Sequence, residues 1–278
     1  MSRHNPARLQ KQNQPGEGKH VVAPQDVNLL LRHDTQKNFE ISGRSLVLEQ
    51  RHRESVGAVV WEAALVLARY LEYCSTSVYP HTYLEPISCK GKRILELGAG
   101  TGLAGMSASI LGAKEVVLTD REEILSITAL NVMQNSSHAS ETVLEKASEE
   151  AERRLVDSVT VKPLLWGQDD ESSLGAPFDL VLAADLLYNN DSHLPLAQTM
   201  VNLCESGATV IMVQKWRYPE KESQFLLHAE MSGLDIEQLM WHVDVNGNGH
   251  WIWSGLLGEE NGIQMYRLRL GNTDGRLF

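Results

Sequence analysis

Two stretches of this chain carry residue types suited to chemistry. The first is residues 92–105, KRILELGAGTGLAG, where an apolar run ends at Leu97 and the chain passes through Gly98, Gly100 and Gly102. Glycines so spaced let the backbone turn tightly and bring a ligand close to the main chain. Eighteen residues past Gly102 stands Asp120, which ends the apolar run VVLTD. A carboxylate at the tip of the next strand lies where a ribose presents its hydroxyls. The second stretch is residues 178–188, FDLVLAADLLY, in which an apolar run ends at Ala183 and Ala184 and is followed by Asp185 and Tyr188. In an open α/β sheet, ligands bind outside the carboxyl ends of the strands, so both stretches point to one edge.

Two ligand classes fit the glycine turn. Gly100, Gly102 and Gly105 satisfy G-x-G-x-x-G, the pattern of dinucleotide sites. Yet the first glycine of that match arrives two residues late, because the strand stops at Leu97. Counted from the strand end the pattern is E-L-G-A-G-T-G, with Glu96 ahead of the glycines. A carboxylate there repels a pyrophosphate but can hold an ammonium group, directly or through water. That charge balance favours S-adenosylmethionine, a zwitterionic sulfonium nucleoside, over NAD. A glycine turn that bound nothing would cost stability without return.

The elements that must position these residues are legible as patterns. Residues 38–50 read as strand, turn and strand, with Phe39, Ile41, Leu46 and Leu48 alternating with polar neighbours around Ser42 and Gly43. Apolar residues at spacings of three and four predict an amphipathic helix over 57–73. Prolines mark 74–90 as a loop. Strands are expected at 93–97, 115–119, 158–165, 178–184, 209–214, 236–241 and 264–270. Helices are expected at 103–111, 122–134, 194–204 and 220–232, the second started by Asp120 and an acidic first turn. Such alternation predicts a Rossmann-like, doubly wound, seven-stranded, mostly parallel sheet, preceded by a small N-terminal β-hairpin and helix extension. The expected division is a disordered tail at 1–26, the extension at 27–75 and the main domain at 76–278. Two segments interrupt the alternation: 136–157 is rich in Glu and Ser, and 246–261 is rich in Gly with Trp251 and Trp253.

Composition narrows the function classes. The 278 residues carry a formal net charge of −11, a poor match to a phosphate backbone and a better one to a basic partner. Nucleic acid is therefore disfavoured. Cys74, Cys89 and Cys204 form neither a disulfide framework nor a metal-ligand spacing and suit a reducing compartment. The histidines His193, His242 and His250 show no metal spacing either, and no metal is expected. No apolar run is long enough to span a membrane. The N-terminal 24 residues lack the apolar core of a secretory signal.

Taken together, ELGAGTGLAG, Asp120, the LLWG of residues 164–167, FDLVLAADLLY and the upstream VGAVVWEAALVLARYLE resemble class I (seven-β-strand) methyltransferases. More narrowly they resemble methyltransferase family 16, the protein-lysine methyltransferases of the methyltransferase-like 21 type. The likeness covers roughly residues 38–270. It implies S-adenosylmethionine as cofactor, with contacts from Trp61, Glu96, Gly98, Ala99, Gly100, Asp120, Trp166 and Ala184. An indole after a strand, as at Trp166, can stack on an adenine face. Ala184 would contribute by being small. The resemblance also implies a protein substrate presenting a lysine, with chaperones, elongation factors and ATPases among the family's substrates. A monomer and a cytoplasmic location, with a nuclear one in addition, are expected.

The D-x-x-Y of Asp185 and Tyr188 is expected to be catalytic. A lysine ammonium has no lone pair, and its reference pKa is about 10.4. Asp185 is expected to accept a hydrogen bond from the incoming amine and orient it, and to assist proton removal through water. Tyr188 is expected to wall the lysine channel. A conflict stands in this reading, since desolvation favours the neutral amine whereas a carboxylate favours the ammonium. Residues 215–218, KWRY, could line the entrance or form a surface loop. The alternative function is a small-molecule or nucleic-acid methyltransferase on the same scaffold.

Overall fold

The computed structural model describes residues 35–51, 55–76, 87–136, 158–175, 177–239 and 262–271. The expected tail at 1–26, the 136–157 insertion beyond Ser136, the 246–261 insertion, His242 and His250 lie outside the described residues. Strands β1 (Gln36–Ile41) and β2 (Arg44–Glu49) pair antiparallel. Ser42 and Gly43 both take positive φ, 52° and 75°, as the tightest hairpin turns require.

The main sheet contains β3 (Arg93–Leu97), β4 (Glu115–Asp120), β5 (Val159–Pro163), β6 (Leu180–Ala184), β7 (Thr209–Lys215), β8 (Leu234–Gln238) and β9 (Ile263–Leu270). Their order is β5-β4-β3-β6-β7-β9-β8. The first five strands run parallel, and β9 is antiparallel to both of its neighbours. Strands in the middle of such a sheet are covered on both faces, which is why they read as continuous apolar runs. Alternate residues of each strand go to opposite faces. Ile94, Leu180, Leu182 and Ile211 join the core shared with α1 (Glu62–Thr76), α2 (Leu103–Ile110) and the hairpin. Leu95, Val181, Val210 and Met212 join the core under α4 (His193–Glu205) and α5 (Pro219–Met231). Thus α1 and the hairpin share one core with the sheet.

Helix α3 (Leu125–Asn135) ties the hairpin to the glycine turn. Asn131 accepts from Glu49 N (2.8 Å) and donates to Glu49 O and Thr101 O (both 3.1 Å). Asn135 repeats the pattern one turn on, accepting from Val47 N and donating to Val47 O. Two amide side chains therefore complete the free edge of β2 as a neighbouring strand would.

Several boundaries differ from the sequence expectation, those of α1, α3 and β8 among them. Helix α1 starts at Glu62, not at residue 57. Before it, Ser55 caps a short 3-10 turn (Val56–Ala58), and Val59 is extended. Gln50 accepts the N–H of Val60 at 2.8 Å and so holds this segment straight. The apolar residues there are buried by tertiary contact, which imitates helical spacing. Helix α3 starts at Leu125 rather than at 122, because the Asp120 carboxylate is engaged elsewhere and caps nothing. Strand β8 starts two residues early and stops at Gln238, since Gly233, at φ 101°, turns the chain directly into it.

Replacing Asn131 by Ala leaves backbone groups of the hairpin and of the turn unpaired. A loss of about 2 kcal/mol or more is expected in urea denaturation. An unchanged midpoint would show that α3 does not hold the hairpin.

Candidate active site

At the carboxyl ends of β3, β4 and β6 lies a cavity of about 570 Å³, within the usual range of small-molecule sites. It sits where the strand order reverses direction, between β3 and β6. Gly98, Ala99 and Gly100 line it. Gly98 has φ 58° and Gly100 φ 54°, values that suit glycine alone at low cost. A Cβ on Gly98 would meet Leu186 at 2.5 Å, and one on Gly100 would meet the Gly57 carbonyl oxygen at 2.6 Å. The turn is fixed by Ala99 N donating to Thr119 O (2.9 Å) and by Thr128 Oγ1 donating to Gly100 O (2.6 Å). Gly105 serves a different purpose. It lies inside α2, where a Cβ would come within 2.2 Å of Leu118, so it permits close packing of helix on strand.

Asp120 ends β4 and reaches across to the turn. Its Oδ2 accepts the Gly100 N–H at 2.9 Å and its Oδ1 accepts the Arg121 N–H at 2.8 Å. Burial pushes its carboxyl above the ordinary range, and these two N–H groups pull it back. Glu96 is fully buried and accepts the Gly105 N–H at 2.8 Å. Desolvation pushes its pKa up to about 8, with the Gly105 N–H opposing and the nearby Asp120 adding to the rise. Burial thus favours the protonated form of Glu96 near neutrality. The shift weakens the repulsion of a pyrophosphate expected from the charge of Glu96.

The two expected tryptophans both line the cavity. Trp166 lies over Gly98, where a Cβ would meet its indole at 3.3 Å. Trp61 precedes α1 rather than lying on it, and its Nε1 donates to Val56 O at 3.0 Å. Ala184 closes the end of β6 at the cavity wall.

The acceptor side departs most from expectation. Asp185 is buried and takes φ 60°, a left-handed conformation that Asp tolerates better than most residues. Both its oxygens are already engaged. Arg217 binds it through two parallel bonds, Nη1 to Oδ1 at 2.8 Å and Nη2 to Oδ2 at 2.7 Å. Gln214 Nε2 adds a bond to Oδ1 at 3.0 Å, and Lys215 N a longer one at 3.4 Å. The carboxylate expected to receive the substrate amine is thus met first by a guanidinium. Arg217 also stacks over the Trp61 ring, 5.1 Å from its centroid. Tyr188 stands at the rim, 59 % exposed. Of the loop left open between entrance and surface, Arg217 lines the cavity, Lys215 pairs with the buried Glu62, and Tyr218 is exposed. His193 is structural: its ring lies edge-on to Phe225, with Nε2 at 3.4 Å from Leu187 O.

All ten residues singled out from sequence border this one cavity: Trp61, Glu96, Gly98, Ala99, Gly100, Asp120, Trp166, Ala184, Asp185 and Tyr188. Sequence reasoning missed Gln214 as a site residue and left Arg217 undecided. A cation three residues beyond a polar strand end was the one available signal. Among the described residues no cluster of His, Cys, Asp or Glu could hold a metal, and no helix is long and apolar enough to cross a membrane. The site fits an adenosine bearing a charged amino-acid tail: bare backbone at Gly98–Gly100 for close approach, a carboxylate at the strand tip, an indole face, and a buried acid beyond.

Fold and cavity together define a class I methyltransferase. A family model described as lysine methyltransferase matches residues 40–232. Protein N-lysine methyltransferase METTL21A of Mus musculus is 33% identical over 199 residues, 71% of this chain and 78% of its own length. The Danio rerio protein of that name is 32% identical, covering 74% and 84%. EEF1A lysine methyltransferase 3 of Xenopus tropicalis is 30% identical, covering 73% and 80%. This chain belongs to the lysine methyltransferase family, and its methyl donor is S-adenosylmethionine.

Replacing Asp120 by Ala removes an acceptor for charged hydrogen bonds, each contributing about 1.5–3 kcal/mol. Calorimetry with S-adenosylmethionine is expected to show affinity reduced about 10- to 100-fold; equal affinity would remove Asp120 from the site. Glu96 gives a pH signature. Unfolded, it titrates near 4.5, and folded near 8, so between these values the folded state holds the extra proton and stability falls as pH rises. Glu96→Gln resembles the protonated form. Its melting temperature is expected to match the wild type near pH 4 and exceed it near pH 8.5. A gap independent of pH would show that Glu96 is charged throughout.

Proposed function

We propose that this protein transfers a methyl group from S-adenosylmethionine to a lysine side-chain amine of a protein substrate. The observation carrying this reading is that Asp185 and Tyr188 line the same cavity as the glycine turn and Asp120. When bound, S-adenosylmethionine supplies an electrophilic methyl group to an amine lone pair. Gly98, Ala99 and Gly100 leave the main chain bare for it, Asp120 is placed to take its sugar hydroxyls, and Trp166 offers an apolar face. Leu186 and Ala184 add apolar wall to the same cavity. Asp185, rigid because Gln214 and Arg217 hold it, orients the amine at the end of β6. Tyr188 offers a ring face at the mouth to the lysine stem and its cationic head.

An elongation factor, chaperone or ATPase is the substrate class this reading favours. Support comes from the relative named for methylating EEF1A and from the acidic composition, which suits a basic partner. Three free cysteines, two of them buried, fit a cytoplasmic setting.

The deciding experiment incubates the protein with labelled S-adenosylmethionine and cell lysate, and locates the label by mass spectrometry. Label on a lysine of a single protein is expected. Asp185→Ala is expected to lower the transfer rate about 100-fold through loss of orientation. Label on RNA, or an undiminished rate in the variant, would overturn the reading.

A further inference from the structure

The Asp185–Arg217 pair bears on a difficulty inherent in lysine methylation. A buried, unpaired carboxylate beside the acceptor would hold the lysine as ammonium, which cannot attack. Here the carboxylate is not unpaired. A planar guanidinium meets both its oxygens at 2.7 and 2.8 Å, and the same guanidinium covers the face of Trp61. Carboxylate and indole together make a seat for a cation, and Arg217 already occupies it. We propose that Arg217 is a positioning residue that neutralises Asp185, so that the acceptor lysine enters the cavity as its uncharged amine. This rests on the lysine-directed reading of the same site. The lysine proton passes to solvent at the open mouth, and the lone pair stays on nitrogen; Asp185 then orients the amine without fixing its charge.

The surrounding charges leave Arg217 in control. On α1, Glu62 is paired with Lys215 of β7. On α5, Glu222 accepts the main-chain N–H groups of Arg217 and Tyr218 (2.7 and 2.8 Å), which fixes the loop that carries the guanidinium. From β3, Glu96 faces the cavity as a buried, proton-bearing acid. From the end of β4, Asp120 is bound to Gly100 N and Arg121 N, and Arg121 pairs with Glu123 at 2.9 Å. Asp191 and the Tyr188 phenol stand at the exposed rim. Of these groups, only Arg217 touches the Asp185 carboxylate with a positive charge.

Arg217→Gln tests the idea, with Arg217→Lys as the variant that keeps the charge. Unchanged S-adenosylmethionine affinity in both, by calorimetry, establishes that the site is folded. The first measurement uses protein loaded with S-adenosylhomocysteine and tetramethylammonium chloride as a permanent-cation probe. Arg217→Gln is expected to bind the probe about tenfold or more tightly than the wild type, since the seat is vacated. Arg217→Lys is expected to resemble the wild type, and Asp185→Asn combined with Arg217→Gln to lose the gain. The second measurement is the pH dependence of kcat at saturating acceptor protein. In Arg217→Gln its acidic limb is expected to move up by about one unit, lowering kcat about tenfold at pH 7 and little near pH 10, with KM not raised. Equal probe affinity in wild type and Arg217→Gln, or a loss of kcat by one factor at every pH, would overturn the proposal. The probe measurement needs no methyl acceptor. A wild type that labels no lysine while Arg217→Gln still gains the cation would refute the lysine reading and leave Asp185 neutralisation by Arg217 standing.

Discussion

Asp120 and Gly100 meet at 2.9 Å across the gap between two neighbouring strand tips, and the cofactor half of the site is arranged around that contact. A main chain that turns left-handed at Gly98 and again at Gly100 exposes N–H groups that no strand or helix can satisfy. The Asp120 carboxylate takes one of them. Thr128 and Asn131, both on α3, donate to carbonyls of the same turn, and Asn131 continues to the hairpin. Gly57 lies against Gly100 so closely that a Cβ on Gly100 would meet the Gly57 carbonyl oxygen, while a Cβ on Gly57 would press on the Ile124 side chain. Hairpin, α3 and the segment before α1 are thus all fixed to the stretch of backbone from Gly98 to Thr101. Bare backbone at the cavity is the reason for this investment of structure, because a ligand can lie against it.

A second regularity concerns charge. The chain is strongly acidic, yet apart from Asp191 at the exposed rim the acids lining or adjoining the cavity are compensated. Glu96 keeps its proton because it is buried. Asp185 is met by Arg217, Glu62 by Lys215, and Asp120 by two backbone N–H groups. The field of the whole surface can draw a basic partner from a distance. Inside, where a fixed negative charge would trap an ammonium, the acids are matched one by one. Attraction at long range and neutrality at contact are separate requirements, and the sequence meets them with separate residues.

This division also explains what could be read in advance. The cofactor half is local: strand, glycines, helix and the next strand tip follow one another within 29 residues from Lys92 to Asp120, and each type is demanded by backbone geometry. Parallel strands betray themselves as apolar runs, so the sheet and its strand spacing were legible too. The acceptor half is assembled across the chain. Trp61 stands ahead of α1, Asp185 follows β6, and Gln214 and Arg217 lie within and just after β7, and no spacing rule links a tryptophan before one helix to an arginine after the seventh strand. The start of α1 was misread for a related reason. Val59 and Val60 are buried ahead of the helix, in a segment that Gln50 holds by its backbone, and burial from any source leaves the same apolar pattern.

Strain sits on the acceptor side, where it can be used. Asp185 is one of only two non-glycine residues with positive φ among the described residues, and the other lies in a hairpin turn. A left-handed Asp costs roughly 1 kcal/mol or more, so the surroundings must impose it. Gln214 is the residue that does so. Its Oε1 accepts the Leu187 N–H and its Nε2 donates to the Asp185 carboxylate, while Asp185 N donates to Val213 O. One amide on β7 therefore fixes the backbone after the strained residue and the head group of its side chain together. Without the left-handed turn, the chain leaving β6 would continue extended and the next side chain would alternate back toward the opposite face of the sheet. With it, the carboxylate is held at the strand end, between Arg217 and the cavity, at the edge where the glycine turn also lies.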